Sequence, residues 1–141
     1  MSSQEELSSL PSQSVISEVE CWRLLAGQTF GRLATPGSGA PEIFPVSFAF
    51  ADHRLYLRTG EGTKLATITL TPDVTFEVDE VRADVAWSVV VKGRAQVLSS
   101  EPDLEEARAT GLVSYLEEGR SEWIRIVPTE ISGRRLIPGE A

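Results

Sequence analysis

The chain has 141 residues, of which 41% are hydrophobic and 24% are charged, and 13 basic against 21 acidic side chains give a formal net charge of −8. This size predicts one domain with a core of its own. The acidic balance, with no clustered excess of lysine and arginine, makes nucleic acid and anionic membranes unfavourable partners. With one cysteine, Cys21, no internal disulfide is possible, and we interpret it as a small core residue of a reduced cytoplasmic protein.

The N-terminal region predicts a tail followed by a short helix. Residues 1–14 are rich in serine, glutamine and glutamate, so we expect a flexible tail and then a single domain over residues 15–141. Ser17 and Glu20 form a capping-box pattern, in which each side chain can accept a hydrogen bond from a backbone N–H at the start of a helix. Gly27 occupies a position suited to end that helix.

Strand patterns dominate the rest of the chain. The candidate strands are "FGRLAT", "EIFPVSFAF", "RLYLRT", "VTFEVDEV", "WSVVVKGRAQVLS" and "EWIRIVPTEISGRRLI", and the last of these makes one or two strands. Pro45 cannot donate a ladder hydrogen bond, so its strand should lie at an edge or face something other than a neighbouring strand. Gly93 interrupts the longest candidate and predicts a bulge. His53 is the one histidine, and its polar context, "ADHR", predicts an exposed turn between two strands.

Two further segments have helical character. "KLATITLTPDV" is ambiguous, because its threonines lower helix propensity while its place between two strands fits a short helix. "EPDLEEARATGLVSYLEEG" predicts a helix with a proline in its first turn and acidic residues near its N-terminus. About six or seven strands joined mostly by short turns, with two or three short helices, predict a mainly β protein whose antiparallel sheet closes on itself.

The stretch "RTGEGTKL" has the chemistry of a phosphate cradle. Arg58 offers a planar fork of donors, Lys64 a point charge, and Thr59 and Thr63 offer hydroxyls, while the glycines allow a close approach of the backbone. The order of Thr63 and Lys64 is not that of a nucleotide-binding P-loop. The alternative is a glycine-containing turn whose charges are only solvated.

Six segments in this order resemble the pyridoxamine-5′-phosphate-oxidase-like flavoproteins, in particular their short, single-domain actinobacterial-type members. They are "CWRLLAGQTFGRLAT", "EIFPVSFAF", "LYLRTGEGTKL", "PDVTFEVDEV", "WSVVVKGRAQVL" and "EWIRIVPTEISGRRL", and the resemblance extends from about Val15 to Leu136. It implies a split β-barrel of about six antiparallel strands, a homodimer, and FMN bound at the dimer interface.

The resemblance also implies which residues hold the cofactor. The phosphate would be taken by Arg58 and the residues that follow it, the flavin ring would face the backbone around Val46, and one strand would contribute across the dimer. The implied cofactor-binding residues are Pro45, Val46, Ser47, Arg58, Thr59, Gly62, Thr63, Lys64, Leu65, Trp87 and Ser88. An ordinary core or interface position is the alternative for Trp87. We expect Trp123 to serve core or dimer packing, and Arg134 to be solvated unless it approaches the cofactor.

The chain shows no catalytic side-chain constellation and no metal-ligand spacing, so any chemistry would be the cofactor's. The first hypothesis is an FMN-dependent oxidoreductase that acts on a small molecule. The alternatives are a reductase that uses the deazaflavin F420, a non-catalytic flavin carrier, and a dimeric scaffold without a ligand. The C-terminus, "SGRRLIPGEA", lacks the basic and aromatic segment with which the true oxidase holds pyridoxal phosphate, so the resemblance does not extend to that substrate.

A dimer is also expected on physical grounds. A split barrel of this size should expose an apolar sheet face, and we expect Trp87, Val89 and Val91 to need cover from a second copy.

Overall fold

The computed structural model describes residues 12–37, 39–60, 68, 71–113 and 121–137. Within these ranges the chain forms seven strands and two helices. Their bounds are β1 Ser12–Val15, α1 Glu18–Ala26, β2 Phe30–Thr35, β3 Glu42–Ala51, β4 Arg54–Gly60, β5 Asp73–Val81, β6 Ala86–Val97, α2 Glu101–Ala109 and β7 Ser121–Ile137. Neither of these helices combines the length and apolarity that a membrane crossing requires.

The strands form a closed antiparallel barrel. Their order is β1-β7-β4-β3-β2-β5-β6, and an additional pairing of β6 with β7 closes six of them into a ring. The remaining strand, β1, lies outside this ring and pairs with the end of β7, where Ser12 lies opposite Ile137. The prediction of a mainly β, split-barrel fold is confirmed. The backbone of β1 begins inside the segment predicted to be a tail, because its pairing partner lies at the other end of the sequence.

The ends of α1 lie where the sequence predicts, but only the Ser17 half of the capping box forms, because the Glu20 carboxylate accepts hydrogen bonds from Arg23. The Ser17 hydroxyl accepts a hydrogen bond from the Glu20 N–H at 3.2 Å, and the Gly27 N–H donates to the carbonyls of Leu24 and Leu25. Leu25 is fully buried, so the inner side of the helix packs on the barrel.

The barrel interior contains residues that we expected on an exposed face. Val89 and Val91 are 0% exposed, Trp87 is 6% exposed, and all three belong to the main hydrophobic core. The expectation that they form an apolar surface is wrong. Alternate residues of β6 point inward, and closure of the sheet covers that side completely.

The bulge predicted at Gly93 is confirmed. The register between β6 and β7 shifts between Lys92 and Gly93. A Cβ atom at Gly93 would come within 2.5 Å of the Val127 carbonyl oxygen, so the two strands approach too closely there for a larger residue.

The second helix is shorter than predicted. It begins after Ser100, whose hydroxyl accepts from the Asp103 N–H, and it ends at Ala109 with Thr110 as its cap. Gly111 follows with a φ of +73°, a left-handed conformation that ends the helical path. The rest of the predicted helix from residue 114 lies outside the described residues.

A half-buried arginine, Arg125, connects α2 to the outside of the barrel. Arg125 of β7 has a side chain only 11% exposed, and its Nη1 atom lies 3.1 Å from Asp103 and 3.2 Å from Glu106 on α2. The hydrogen bond from Arg125 is the largest influence on Asp103 and lowers the pKa of that carboxyl. These contacts hold α2 over the outer side of β4 and β7.

Candidate functional site

Strands β3 and β4 separate at one end of the barrel. Ala51 pairs with Arg54 at one end of this ladder, and Phe48 pairs with Leu57 at the other. The described residues of the two strands form no pair beyond Phe48 and Leu57. Beyond that point β3 continues to pair with β2, and β4 continues to pair with β7. We call the resulting gap the β3–β4 opening.

The backbone of β3 presents polar groups to the β3–β4 opening. The Phe48 N–H donates to the Thr29 carbonyl on the β2 side at 3.0 Å. Because the hydrogen-bonding direction alternates along an antiparallel strand, Val46 also faces β2, whereas Pro45 and Ser47 direct their backbone polar groups towards the opening. The missing N–H of Pro45 therefore leaves no gap in the β2–β3 ladder. The prediction that this proline faces something other than a neighbouring strand is confirmed.

Arg58 lies on the β4 side of the opening. It is half-buried, its Nε atom is shielded from solvent, and it sits directly opposite Trp123 of β7. Its guanidinium carbon lies 5.1 Å from the centre of a Trp123 ring.

Thr59 points to the opposite side of β4 from Arg58. It is 6% exposed, and its hydroxyl donates to the Gly60 carbonyl at 3.2 Å. Successive side chains on a strand alternate between its two faces. The structure therefore does not place the Thr59 hydroxyl beside the Arg58 guanidinium.

Four of the predicted cofactor-binding residues, Gly62, Thr63, Lys64 and Leu65, lie outside the described residues. Their roles stay predictions. Ile68, which follows them, is described and is buried in the main core at 2% exposed.

A cavity of about 540 Å³ lies at the β2–β5 end of the barrel, and a second of about 520 Å³ lies beside Ser47. The second cavity is lined by Ala26, Gln28, Thr29, Phe30, Ser47, Phe48, Ala49, Phe50, Thr110, Gly111, Leu112 and Val113. Its volume falls within the range usual for pockets that bind small molecules or cofactors. The sequence analysis missed the contribution of residues 110–113, because they are distant in sequence and carry no motif.

Arg32, on the outer surface next to the opening, has its positive charge balanced by two acidic side chains. Arg32 of β2, opposite Pro45, contacts Glu77 at 2.8 Å and Asp79 at 2.5 Å. Burial, followed by the hydrogen bond with Asp79, raises the pKa of Glu77, whereas the hydrogen bond from Glu77 lowers the pKa of Asp79. Two carboxylates thus share one guanidinium, so Arg32 offers little charge to an anion.

Trp87 and Ser88 lie away from this opening within one protomer. They belong to β6, which β2 and β5 separate from β3 in the sheet. The Trp87 Nε1–H donates to Glu80 at 3.2 Å and, after the hydrogen bond from Arg82, helps to lower the pKa of that carboxyl. With 6% of its surface exposed, Trp87 fits the core alternative. Ser88 is half-buried and lies opposite Arg134.

The thiol of Cys21 is buried, and we expect it to be unreactive in the native protein. It is 0% exposed, and burial, with a further contribution from Glu18 and Glu20, raises its pKa. Labelling by a thiol reagent at pH 8 should be roughly a hundredfold slower for the folded chain than for the chain in denaturant. Equal labelling rates would contradict the buried placement.

The chain belongs to the pyridoxamine 5′-phosphate oxidase family, whose model matches residues 17–135. The fold is similar to that of a proposed pyridoxamine 5′-phosphate oxidase of Corynebacterium glutamicum, with a TM-score of 0.80 and 34% identity over 89% of this chain and 99% of that one. It is also similar to an FAD-binding protein of Mycobacterium smegmatis, with a TM-score of 0.73 and 35% identity over 87% of this chain and 97% of that one. The chain is also 32% identical to an uncharacterised protein of Rhizobium meliloti, over 84% of this chain and 82% of that protein.

Proposed function

We propose that the protein binds a flavin nucleotide, FMN, at the β3–β4 opening and acts as a flavin-dependent oxidoreductase on a small molecule. The observation that carries the proposal is the position of Arg58 across the opening from the backbone of Ser47, beside a cavity of about 520 Å³. Similarity to the FAD-binding protein of Mycobacterium smegmatis supports a flavin.

The donors around the opening fit the two ends of FMN. The Arg58 guanidinium can donate two parallel hydrogen bonds to phosphate oxygens, and Lys64 would add a second positive charge. The Ser47 N–H faces the opening and can donate to a carbonyl oxygen or nitrogen of the flavin ring. Phe30 and Leu112 give the cavity beside Ser47 apolar surface that would keep water from the ring. When bound, the flavin supplies the redox chemistry, and the chain supplies position and electrostatics.

Exposed apolar residues beside the opening favour a homodimer that completes the site. Phe30 is 51% exposed and Ile43 is 67% exposed, and they lie on β2 and β3. These side chains replace Trp87, Val89 and Val91 as the surface that a second copy would cover. Sedimentation at micromolar concentration should give a dimer, and a monomer would count against a cofactor placed at an interface.

The direct test of the cofactor is the visible absorption spectrum of the purified protein, followed by mass analysis of what denaturation releases. We expect a flavin spectrum and FMN. Apoprotein should then be titrated with FMN, FAD and F420 in parallel. Tighter binding of F420 than of FMN would identify the deazaflavin as the cofactor. No binding of any of the three would overturn the proposal.

Catalysis needs a separate measurement. The FMN-loaded protein should be mixed without oxygen with NADH and with NADPH, and the flavin absorbance followed. Bleaching of the flavin band by either donor would support an oxidoreductase. A flavin that no nicotinamide donor or candidate substrate reduces would indicate a carrier.

A further inference from the structure

Trp123 forms a rigid surface against which Arg58 rests. The two residues are directly opposed on β4 and β7, with 5.1 Å between the guanidinium carbon and the ring centre. Directly opposed residues on neighbouring strands share one face of the sheet, so this contact is built into the register.

Trp123 is itself fixed by its surroundings. It is 9% exposed and packs in a small hydrophobic cluster with Tyr56, Leu98 and Ala107. This cluster lies beneath α2, which Arg125 fastens to the barrel. Contacts other than the one with Arg58 therefore hold the ring, and one of the residues in this cluster, Ala107, belongs to α2.

The geometry points to Trp123 as the positioning residue for the phosphate-binding arginine, and this inference rests on the proposed function. An arginine uses the face of its guanidinium to stack and the in-plane N–H groups to donate, so Arg58 can keep its contact with Trp123 while it binds a phosphate. A side chain already held in a binding orientation loses less conformational entropy when the ligand arrives. Trp123 thus favours flavins that carry a phosphate over those that do not.

The test compares FMN with riboflavin, which has the same ring system and no phosphate. The measured quantity is the ratio of the two dissociation constants, obtained by titration of apoprotein. In Trp123→Leu we expect the preference for FMN to fall roughly tenfold, with riboflavin affinity little changed. Trp123→Phe keeps an aromatic face, so its preference for FMN should fall only roughly threefold. If the leucine variant does not fold, the phenylalanine variant alone tests the positioning role.

Two controls separate positioning from a general structural role. Trp22→Leu removes a half-buried tryptophan of α1, which stacks on His53 at 4.7 Å, and should leave the ratio unchanged. In an Arg58→Ala background, adding Trp123→Leu should have no further effect on the ratio, because the residue that Trp123 positions is absent.

Each result has a definite meaning. If the Trp123 variants lose the same factor of affinity for FMN and for riboflavin, or lose none for either, Trp123 has no positioning role. The proposal that the protein binds a flavin would not be affected. An additive loss in the double variant would also overturn the positioning role. Wild-type protein that binds the two flavins equally would overturn the phosphate site itself, and wild-type protein that binds neither would overturn the proposed function.

Discussion

Replacing Arg58 with alanine should weaken FMN binding by roughly a hundredfold and leave riboflavin binding nearly unchanged. Arg58 is half-buried and lies on the β4 side of the β3–β4 opening, with its guanidinium carbon over the Trp123 ring. A hydrogen-bonded charge held in that setting contributes more than an exposed one, because less solvent screens it. Isothermal titration or quenching of flavin fluorescence measures both affinities.

The matched control is Arg23→Ala. Arg23 lies on α1 with its side chain 74% exposed and paired to Glu20, so its loss removes the same charge from a solvent-exposed helix surface. We expect FMN affinity in that variant to stay within about twofold of wild type. Arg58→Ala protein that still prefers FMN to riboflavin would remove Arg58 from the phosphate site. Combining it with Lys64→Ala would then test whether the second cation acts alone.

Gly31→Ala should destabilise the fold by about 3 kcal/mol and lower the melting temperature by roughly 10 °C. A Cβ atom at this position of β2 would lie 2.5 Å from the Glu77 carbonyl oxygen and 2.7 Å from the Phe76 ring. Phe76 is fully buried, and the Glu77 carbonyl belongs to the backbone of β5, so neither can move without breaking core packing or a sheet ladder. Thermal and urea unfolding of the apoprotein measure the change.

Gly39→Ala is the control, and we expect it not to lower the free energy of unfolding. Nothing lies within 4 Å of a Cβ placed on Gly39. Alanine there should be neutral or stabilise the fold by up to about 1 kcal/mol, because it restricts the unfolded chain. Equal effects of the two substitutions would show that β2 and β5 are not as close as the structure places them.

The sequence alone predicted features that depend on near neighbours in the chain. Ser17 and Gly27 mark the ends of α1 because capping involves residues three or four positions apart. Gly93 and Pro45 were informative for a related reason, since each breaks a rule for regular strands and so indicates a bulge or an unpaired side. The strand pattern predicted a sheet that closes on itself, and the chemistry of "RTGEGTKL" indicated Arg58; the resemblance to a known family added the split barrel and the flavin phosphate.

Features that depend on distant residues could not be predicted in this way. The alternation along β6 is the same for a covered and an exposed face, so the inward position of Val89 and Val91 follows only from barrel closure. The contact between Arg58 and Trp123 joins strands far apart in sequence and depends on the register of β4 with β7. The end of α2 is different, because Gly111, with a φ of +73°, is a local signal that we did not use when we predicted a longer helix.

The long strand β7 has a consequence for how the protein folds. It pairs with β4 along its first part, with β6 along most of its length, and with β1 at its end. The barrel cannot close until β7, the last of the described strands, has been synthesised, and until then β4 and β6 keep unpaired edges that can associate with other chains. Closure over such long sequence separations is slow compared with local helix formation. Newly made chains should therefore be most prone to aggregation just before β7 is added.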